Sequence, residues 1–222
     1  AEFNQHLDQI EADKNIKSVV LTSNSEKNWS LGIDLEWMAN TSNTPETIAG
    51  FMSDVTALLK RIVTFPMPII AALNGHTFGN GAVLACACDF RLMKSDKGFF
   101  CFPEVDVMVP FLPSMFPIIN KAIPQAFFNR LAMSGMRVGA QELLDNKVVE
   151  AIFADEAQLQ AGALGFAQQF NKNRWISSNP AMMRSSRGVH TVFLSGFAST
   201  PSASSNSRSD NSAIGALRSF LL

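Results

Sequence analysis

Along most of the chain, stretches whose apolar residues recur every three or four positions alternate with short continuous apolar runs. These are the two signatures of helix and of buried strand. Residues 3–13 place Phe3, Leu7 and Ile10 on one helical face, and residues 18–23, built around Val19-Val20-Leu21, read as a short buried strand. The clearest helix follows. Thr44 fits an N-cap with Pro45 at the first helical position, after which Ile48, Phe51, Met52, Val55, Leu58, Leu59 and Ile62 recur at offsets of three and four. Pro66 and Pro68 stop it, and residues 68–73 have the turn-bounded, apolar look of a core strand closed by Gly75. Further on the pattern predicts a small-residue helix over 82–88, a strand over 90–93, and helices over 113–122, 125–133 and 140–146. A strand over 148–153 and a helix over 155–170 carrying Leu159, Ala163, Phe166 and Phe170 complete it. Strands separated by helices of this length predict an α/β layer fold with right-handed crossovers.

Beyond residue 170 the periodicity fades. Residues 1–170 hold 9 serines and the last 52 residues hold 13, so serine density rises where apolar periodicity ends. Residues 195–212 have too few large apolar groups to offset the entropy of ordering them, and a flexible tail or linker is expected there. The chain therefore divides into a core over 1–170 and a divergent Ser-rich region over 171–222.

Composition narrows the function. With 18 basic and 19 acidic residues and no Lys/Arg cluster, the chain lacks the electrostatic footprint of a nucleic-acid binder. No apolar run approaches the roughly 18 residues of a membrane span, and the N-terminus shows no signal-peptide pattern, which reads as a soluble, unexported and cytoplasmic chain, an organelle matrix remaining open. Cys86, Cys88 and Cys101 are too few for a disulfide scaffold, and Cys86-x-Cys88 is not zinc spacing, so no metal is expected. His6, His76 and His190 are scattered, which gives a Ser-His-Asp or Cys-His machine little support.

Two glycine segments could present free backbone N–H groups: Trp29-Ser30-Leu31-Gly32-Ile33-Asp34-Leu35 and Asn74-Gly75-His76-Thr77-Phe78-Gly79-Asn80-Gly81-Ala82. In the second, Gly79-Asn80-Gly81 turns directly into a predicted helix, whose first N–H groups have no intrahelical partner and sit at its positive end. That suits an anion or developing negative charge; a glycine turn packing a helix closely on a sheet has the same spacing. Neither segment fits a dinucleotide fingerprint or a Walker A loop. The candidate acid/base is Glu104 in Phe99-Phe100-Cys101-Phe102-Pro103-Glu104-Val105, because a carboxyl at the edge of an aromatic run has its pKa raised toward neutrality. A surface loop residue would look the same in sequence. Asp106 and Asp34 compete for the role, although an Asp after a glycine turn is more often a helix cap.

Taken together these segments resemble the crotonase family, the enoyl-CoA hydratase/isomerase superfamily, over about residues 1–170. Residues 29–38 are similar to its F-x-A-G-x-D-L-x-x-M segment, and residues 69–91 to its I-A-A-[VL]-N-G-x-x-x-G-G-G-x-x-L-A-x-x-C-D-x-R segment. Phe102-Pro103-Glu104-Val105 followed by Val109-Pro110 resembles its F-x-x-P-E-[IV]-x-x-G-[IL]-x-P run. The resemblance implies an α/β ββα-superhelix with a C-terminal helical region, normally the part that builds trimers. This chain starts at what looks like the family's first helix, so the preceding pair of strands is missing by that comparison.

The resemblance also implies a site. The Ile33 and Asn80 amides map to the oxyanion hole for the thioester oxygen of an acyl-CoA. Ser30, Gly32, Asp34, Leu35, Met38 and Gly79 map to substrate-binding positions, and Met108, Val109, Pro110, Phe111 and Leu112 to the wall of the acyl pocket. Family hydratases use two glutamates; the first maps to Val83, which cannot hold or deprotonate water, and Glu104 is the second. A single carboxylate beside an oxyanion hole matches the family's Δ3,Δ2-enoyl-CoA isomerases. The further acid of dienoyl-CoA isomerases maps to Leu112. The expectation is thus an isomerase of 3-enoyl-CoA in fatty-acid β-oxidation, with no cofactor beyond the coenzyme A of its substrate, assembled as a homotrimer or hexamer. Another acyl-CoA reaction, or a non-catalytic acyl-CoA binder, are the alternatives.

Overall fold

The computed structural model describes residues 2–40, 44–172 and 188–194. The chain runs through α1 (Glu2–Ala12), β1 (Ile16–Ser23), β2 (Asn28–Ser30), α2 (Leu35–Ala39) and α3 (Pro45–Val63). Next come β3 (Ile69–Leu73), β4 (His76–Phe78), α4 (Asn80–Ala87), β5 (Phe90–Lys94), β6 (Phe100–Cys101) and α5 (Glu104–Val107). It then continues through α6 (Met115–Ala122), α7 (Gln125–Ser134), α8 (Ala140–Asp145), β7 (Ala151–Phe153), α9 (Glu156–Gln168) with a 3₁₀ turn over Gln169–Lys172, and β8 (Gly188–Leu194).

Two parallel sheets organise the molecule. The larger has strand order β7-β5-β3-β1-β8 and the smaller β2-β4-β6. Both faces of the larger sheet are covered, which is why β1 and β3 read as continuous apolar runs. Alternate residues part company: Val19, Leu21, Ile69, Ala71 and Leu73 enter the main core, whereas Val20, Ile70, Ala72 and Leu92 face Leu159, Ala163 and Ala167 of α9. The small residues of α9 recur every four positions, so its backbone lies close to the sheet; a methyl on Gly162 would come within 2.2 Å of the Phe153 ring. Caps agree with the sequence. Thr44 Oγ1 accepts from the Thr47 N–H, and Asp155 Oδ1 accepts from the Gln158 N–H, each stopping fraying where a helix begins.

Arg91 ties β5 to its neighbours. The buried guanidinium donates to the carbonyls of Val148 and Cys88, both at 2.8 Å, and to Ala85 at 3.3 Å. Arg91→Leu leaves these carbonyls without donors and is expected to cost about 3 kcal/mol or more, measured by urea unfolding.

Several elements differ from the sequence expectation. The strand expected over 148–153 is confined to Ala151–Phe153, because Val148 and Val149 bury their side chains in the loop after α8. The helix expected from 113 begins at Met115, and helix α4 begins at Asn80, two residues early. Short β2, β4, β6, α2 and α5 carry too few residues to show a period. The divergent Ser-rich region over 171–222, which is helical in the family that the sequence resembles, is described here only in part, and its residues 188–194 form a strand paired in parallel with β1. The expected flexible tail over 195–212 lies outside the described residues.

Candidate active site

The small sheet delivers the site. Its strands are parallel, with Ser30 beside Thr77 and Phe78 beside Cys101, so their carboxyl ends open on the same edge. Ligands of open parallel sheets bind at such edges. From β2 the chain passes through Leu31-Gly32-Ile33-Asp34 into α2; from β4 it turns at Gly79 into α4; from β6 it passes Phe102-Pro103 into α5, whose first residue is Glu104.

Glycines let these three connections touch. Gly32 has φ +85°, and a methyl there would lie 2.8 Å from the Asn80 nitrogen and 2.9 Å from the Phe78 oxygen. A methyl on Gly81 would lie 2.5 Å from the Ser30 carbonyl oxygen. Gly79, with φ +54°, brings the turn beside Glu104, whose Oε1 would be 3.7 Å from a methyl at that position. The β2–α2 loop, the start of α4 and the Glu104 carboxyl are therefore one cluster. Asn74, which sequence reasoning passed over as part of a glycine segment, braces it from behind: its Nδ2 donates to the Ser23 and Ser25 carbonyls, and its Oδ1 accepts from the Ser23 N–H. An Asn directly after the apolar run of residues 69–73 was the available signal.

Ile33 directly follows Gly32 on the β2–α2 loop, and Asn80 follows Gly79 at the start of α4, the two segments that Gly32 brings into close approach. Among the described residues neither amide donates to an acceptor of the chain. Asn80 is the first residue of α4, so its amide lies at the positive end of the helix dipole. Helix α4 is buried from Gly81 to Ala87, and Val83 is wholly enclosed.

Glu104 is the charge-bearing group of the cluster. Its Oε2 is buried without a hydrogen-bond partner, and burial pushes its carboxyl up to about 7, against a smaller lowering by a backbone hydrogen bond. Nearby apolar bulk comes from Phe102, which meets Phe111 and Phe128 edge-on at 5.6 Å each. After one turn Met108 takes a left-handed conformation, φ 54°, and the amides of Met108 and Val109 both donate to the Glu104 carbonyl. Val109, Phe111 and Leu112, which follow that tight closure, are half-buried, and Phe111 and Leu112 pack on the main core.

Other sequence candidates fall differently. Ser30 is buried and its hydroxyl accepts from the Gly32 N–H, so its side chain holds the turn. Asp34 is exposed and caps α2, accepting from the Trp37 N–H at 2.9 Å. Met38 is buried, Leu35 and Trp37 are exposed, and the Trp37 ring stands 5.1 Å from that of Phe51 on α3. Asp106 is exposed and its carboxylate lies against Gly135 at the end of α7. His76 Nδ1 accepts from the Phe99 N–H, and burial lowers its pKa, with the Lys27 and Arg137 charges adding to it. Burial pushes the Cys86 and Cys88 thiols up to about 12, which removes them as nucleophiles. No cluster of His, Cys, Asp and Glu among the described residues could hold a metal ion, and no described helix is long and apolar enough to cross a membrane.

Against known proteins, the enoyl-CoA hydratase/isomerase family signature matches residues 1–192. Carnitinyl-CoA dehydratase of Escherichia coli strain K12 is 33% identical over 159 residues, which are 71% of this chain and 58% of that protein. Enoyl-CoA delta isomerase 2, peroxisomal, of Arabidopsis thaliana is 27% identical over 187 residues, covering 81% and 77%. Among solved structures, a putative enoyl-CoA hydratase/isomerase (crotonase) from Legionella pneumophila superposes with a TM-score of 0.69 at 30% identity, covering 78% of this chain and 66% of that one. An enoyl-CoA hydratase from Bacillus anthracis gives 0.70 at 26% identity, covering 78% and 65%. The chain thus spans somewhat under three fifths of the dehydratase it matches.

Proposed function

The chain belongs to the enoyl-CoA hydratase/isomerase family and has the crotonase fold, and on that footing we propose that it shifts the double bond of a 3-enoyl-CoA to give 2-trans-enoyl-CoA, a step of fatty-acid β-oxidation. The observation that carries this reading is the one buried, unpartnered carboxyl at the site, Glu104, with apolar Val83 on α4.

The thioester oxygen accepts hydrogen bonds from the Ile33 and Asn80 amides. Glu104 as carboxylate takes a proton from C2. The electron pair left behind delocalises over C2, C3, C4 and the thioester, and the negative charge on oxygen is held by the two amides and the α4 dipole. The protonated Glu104 then returns the proton to C4, leaving the double bond between C2 and C3. No atom is gained or lost. A pKa of about 7 suits a group that must act as base and then as acid in one turnover.

The kinship with a dehydratase favours a second reading, reversible loss of water. Holding and deprotonating a water takes a polar group where Val83 stands, which is why isomerisation is preferred. Absorbance of the conjugated thioester after adding 3-hexenoyl-CoA, with crotonyl-CoA hydration run in parallel, separates the two. Hydration faster than isomerisation overturns the proposal, and binding of both thioesters without turnover points to a non-catalytic acyl-CoA binder.

The pH dependence follows from the carboxyl. Because the ionised form abstracts the proton, kcat/KM is expected to rise about tenfold per pH unit at low pH and to level above about 7. A plateau reached already near pH 5 would remove Glu104 from the role. Homotrimeric or hexameric assembly and a cytoplasmic or organelle-matrix location belong to the same proposal; light scattering reads the assembly.

A further inference from the structure

Two buried side-chain polar atoms among the described residues have no hydrogen-bond partner, Glu104 Oε2 and Asn80 Oδ1. The mechanism above uses the first and leaves the second idle, because the oxyanion role of Asn80 needs only its backbone amide. A buried amide oxygen without a donor is destabilising, so its presence calls for an explanation.

Both orphaned oxygens belong to one corner of the site. The Gly79 N–H donates to the Cys101 carbonyl at 3.0 Å, which fixes the β4–α4 turn against the strand that leads to Glu104. A methyl on Gly79 would have Glu104 Oε1 and the Pro103 ring as neighbours, at 3.7 and 3.9 Å. Asn80 is the next residue, and side chains on a helix lean toward its N-terminus, back over that turn. As a carboxylate Glu104 offers only acceptors, and an amide oxygen is also an acceptor, so the two cannot pair. Once Glu104 has taken a proton it has an O–H to donate, and the two oxygens become complementary.

We propose that Asn80 is a positioning residue for Glu104: its carboxamide oxygen accepts a hydrogen bond from the carboxylic acid formed midway through turnover and holds that acid between C2 and C4. This rests on the double-bond shift proposed above. The C2–H bond breaks as the Glu104 O–H forms, the acid then gives the same proton to C4, and Asn80 exchanges none. A hydrogen bond made only by the acid favours protonation, so it acts on the Glu104 carboxyl in the same direction as burial. Neighbouring charges do not compete. Helix α4 carries no carboxylate or cation, and Asp106 on α5 lies against Gly135. The Cys101 thiol, pushed up to about 11 by burial first and by Glu104 second, is neutral where Glu104 titrates.

Infrared spectra of the full chain across pH, with Glu104→Gln identifying the carboxyl band, test this without any substrate. The wild-type carboxyl is expected to titrate at about 7. Asn80→Leu, close to Asn in size but without an acceptor, is expected to titrate about one pH unit lower, the equivalent of one hydrogen bond. Asn80→Asp sets a second carboxyl beside the first and is expected to raise the value by about one unit or more. A merely structural Asn80 would leave the Glu104 titration in place, so unchanged values in both variants overturn the proposal. A rise in Asn80→Leu does so too, since it would mean that the carboxamide donates to the ionised form.

A second measurement follows the proton itself. In ordinary water, 3-hexenoyl-CoA deuterated at C2 is expected to deliver part of its deuterium to C4 in the wild type. Asn80→Leu is expected to lose several-fold more of it to solvent, with kcat lower by about tenfold and KM little changed. Equal retention of deuterium overturns the holding role. Absence of any isomerisation by the wild type, with both titrations as expected, instead overturns the double-bond reading and leaves the Glu104–Asn80 pair standing.

Discussion

Replacing Glu104 by glutamine is expected to lower 3-hexenoyl-CoA isomerisation by about 100- to 10,000-fold, the contribution of a positioned acid/base. Glutamine has the size of glutamate but takes no proton from C2. The Ile33 and Asn80 amides are untouched, so thioester affinity should change far less than turnover. Stability should move the other way. Burial raises the Glu104 carboxyl to about 7 in the folded protein from an ordinary value of 4.5, so the folded state holds its proton more tightly than the unfolded state does. Its contribution to stability is fully present below about pH 4.5 and is lost as pH rises through about 7. By pH 8 the folded protein carries a buried, unpartnered charge, a cost of roughly 3 kcal/mol at most. Glu104→Gln should therefore raise the melting temperature at pH 8 and have little effect at pH 4, as scanning calorimetry would read. A variant that keeps wild-type turnover, or one that is no more stable at pH 8, would contradict the assignment. Active sites commonly hold groups at such a disadvantage, and a gain in stability with a loss of activity separates a functional carboxyl from a structural one.

The second large effect is expected from Gly32→Ala. The positive φ of 85° disfavours any side chain, and the added methyl would meet the Asn80 nitrogen and the Phe78 oxygen below 3 Å, both backbone atoms that cannot rotate aside. The β2–α2 loop must move away from α4, and the Ile33 amide moves with it. In the proposed mechanism the Ile33 amide is an oxyanion donor, so its displacement is expected to cost about 100- to 1,000-fold in turnover, and the strain should cost about 2 kcal/mol in urea unfolding. Gly50→Ala is the matched comparison. It lies at an exposed position of α3 with nothing within 4 Å of an added methyl, and is expected to stabilise the protein by roughly 0.5–1 kcal/mol without affecting turnover. If Gly32→Ala behaves like Gly50→Ala, the close approach of the two loops has no part in the chemistry.

Much of the layout was legible in the chain. The 3.6-residue period of α3 with its Thr44 cap, the apolar runs of β1 and β3, and the four-residue spacing of Leu159, Ala163 and Ala167 on α9 are local patterns with local causes. The two glycine segments and Glu104 were also visible as candidates. Their roles could not be sorted by spacing alone, since Asp34 and Asp106 competed with Glu104 and Ser30 was a substrate-binding position only by resemblance. The structure separates these: Asp34 caps α2, Asp106 lies against Gly135, and Ser30 holds the Gly32 amide.

Sequence alone determined the longer helices and strands and the glycine segments where the chain turns, because period, caps and positive φ are properties of neighbouring residues. Tertiary structure alone decided what those turns meet. Strands of two or three residues such as β4 and β6 exist only through their partners, and α5 is a single turn held by the β6 connection. The near-neutral carboxyl of Glu104 and the orphaned oxygen of Asn80 belong to the same class. Both depend on what surrounds a side chain in three dimensions, since desolvation and the loss of hydrogen-bond partners are set by packing rather than by order along the chain.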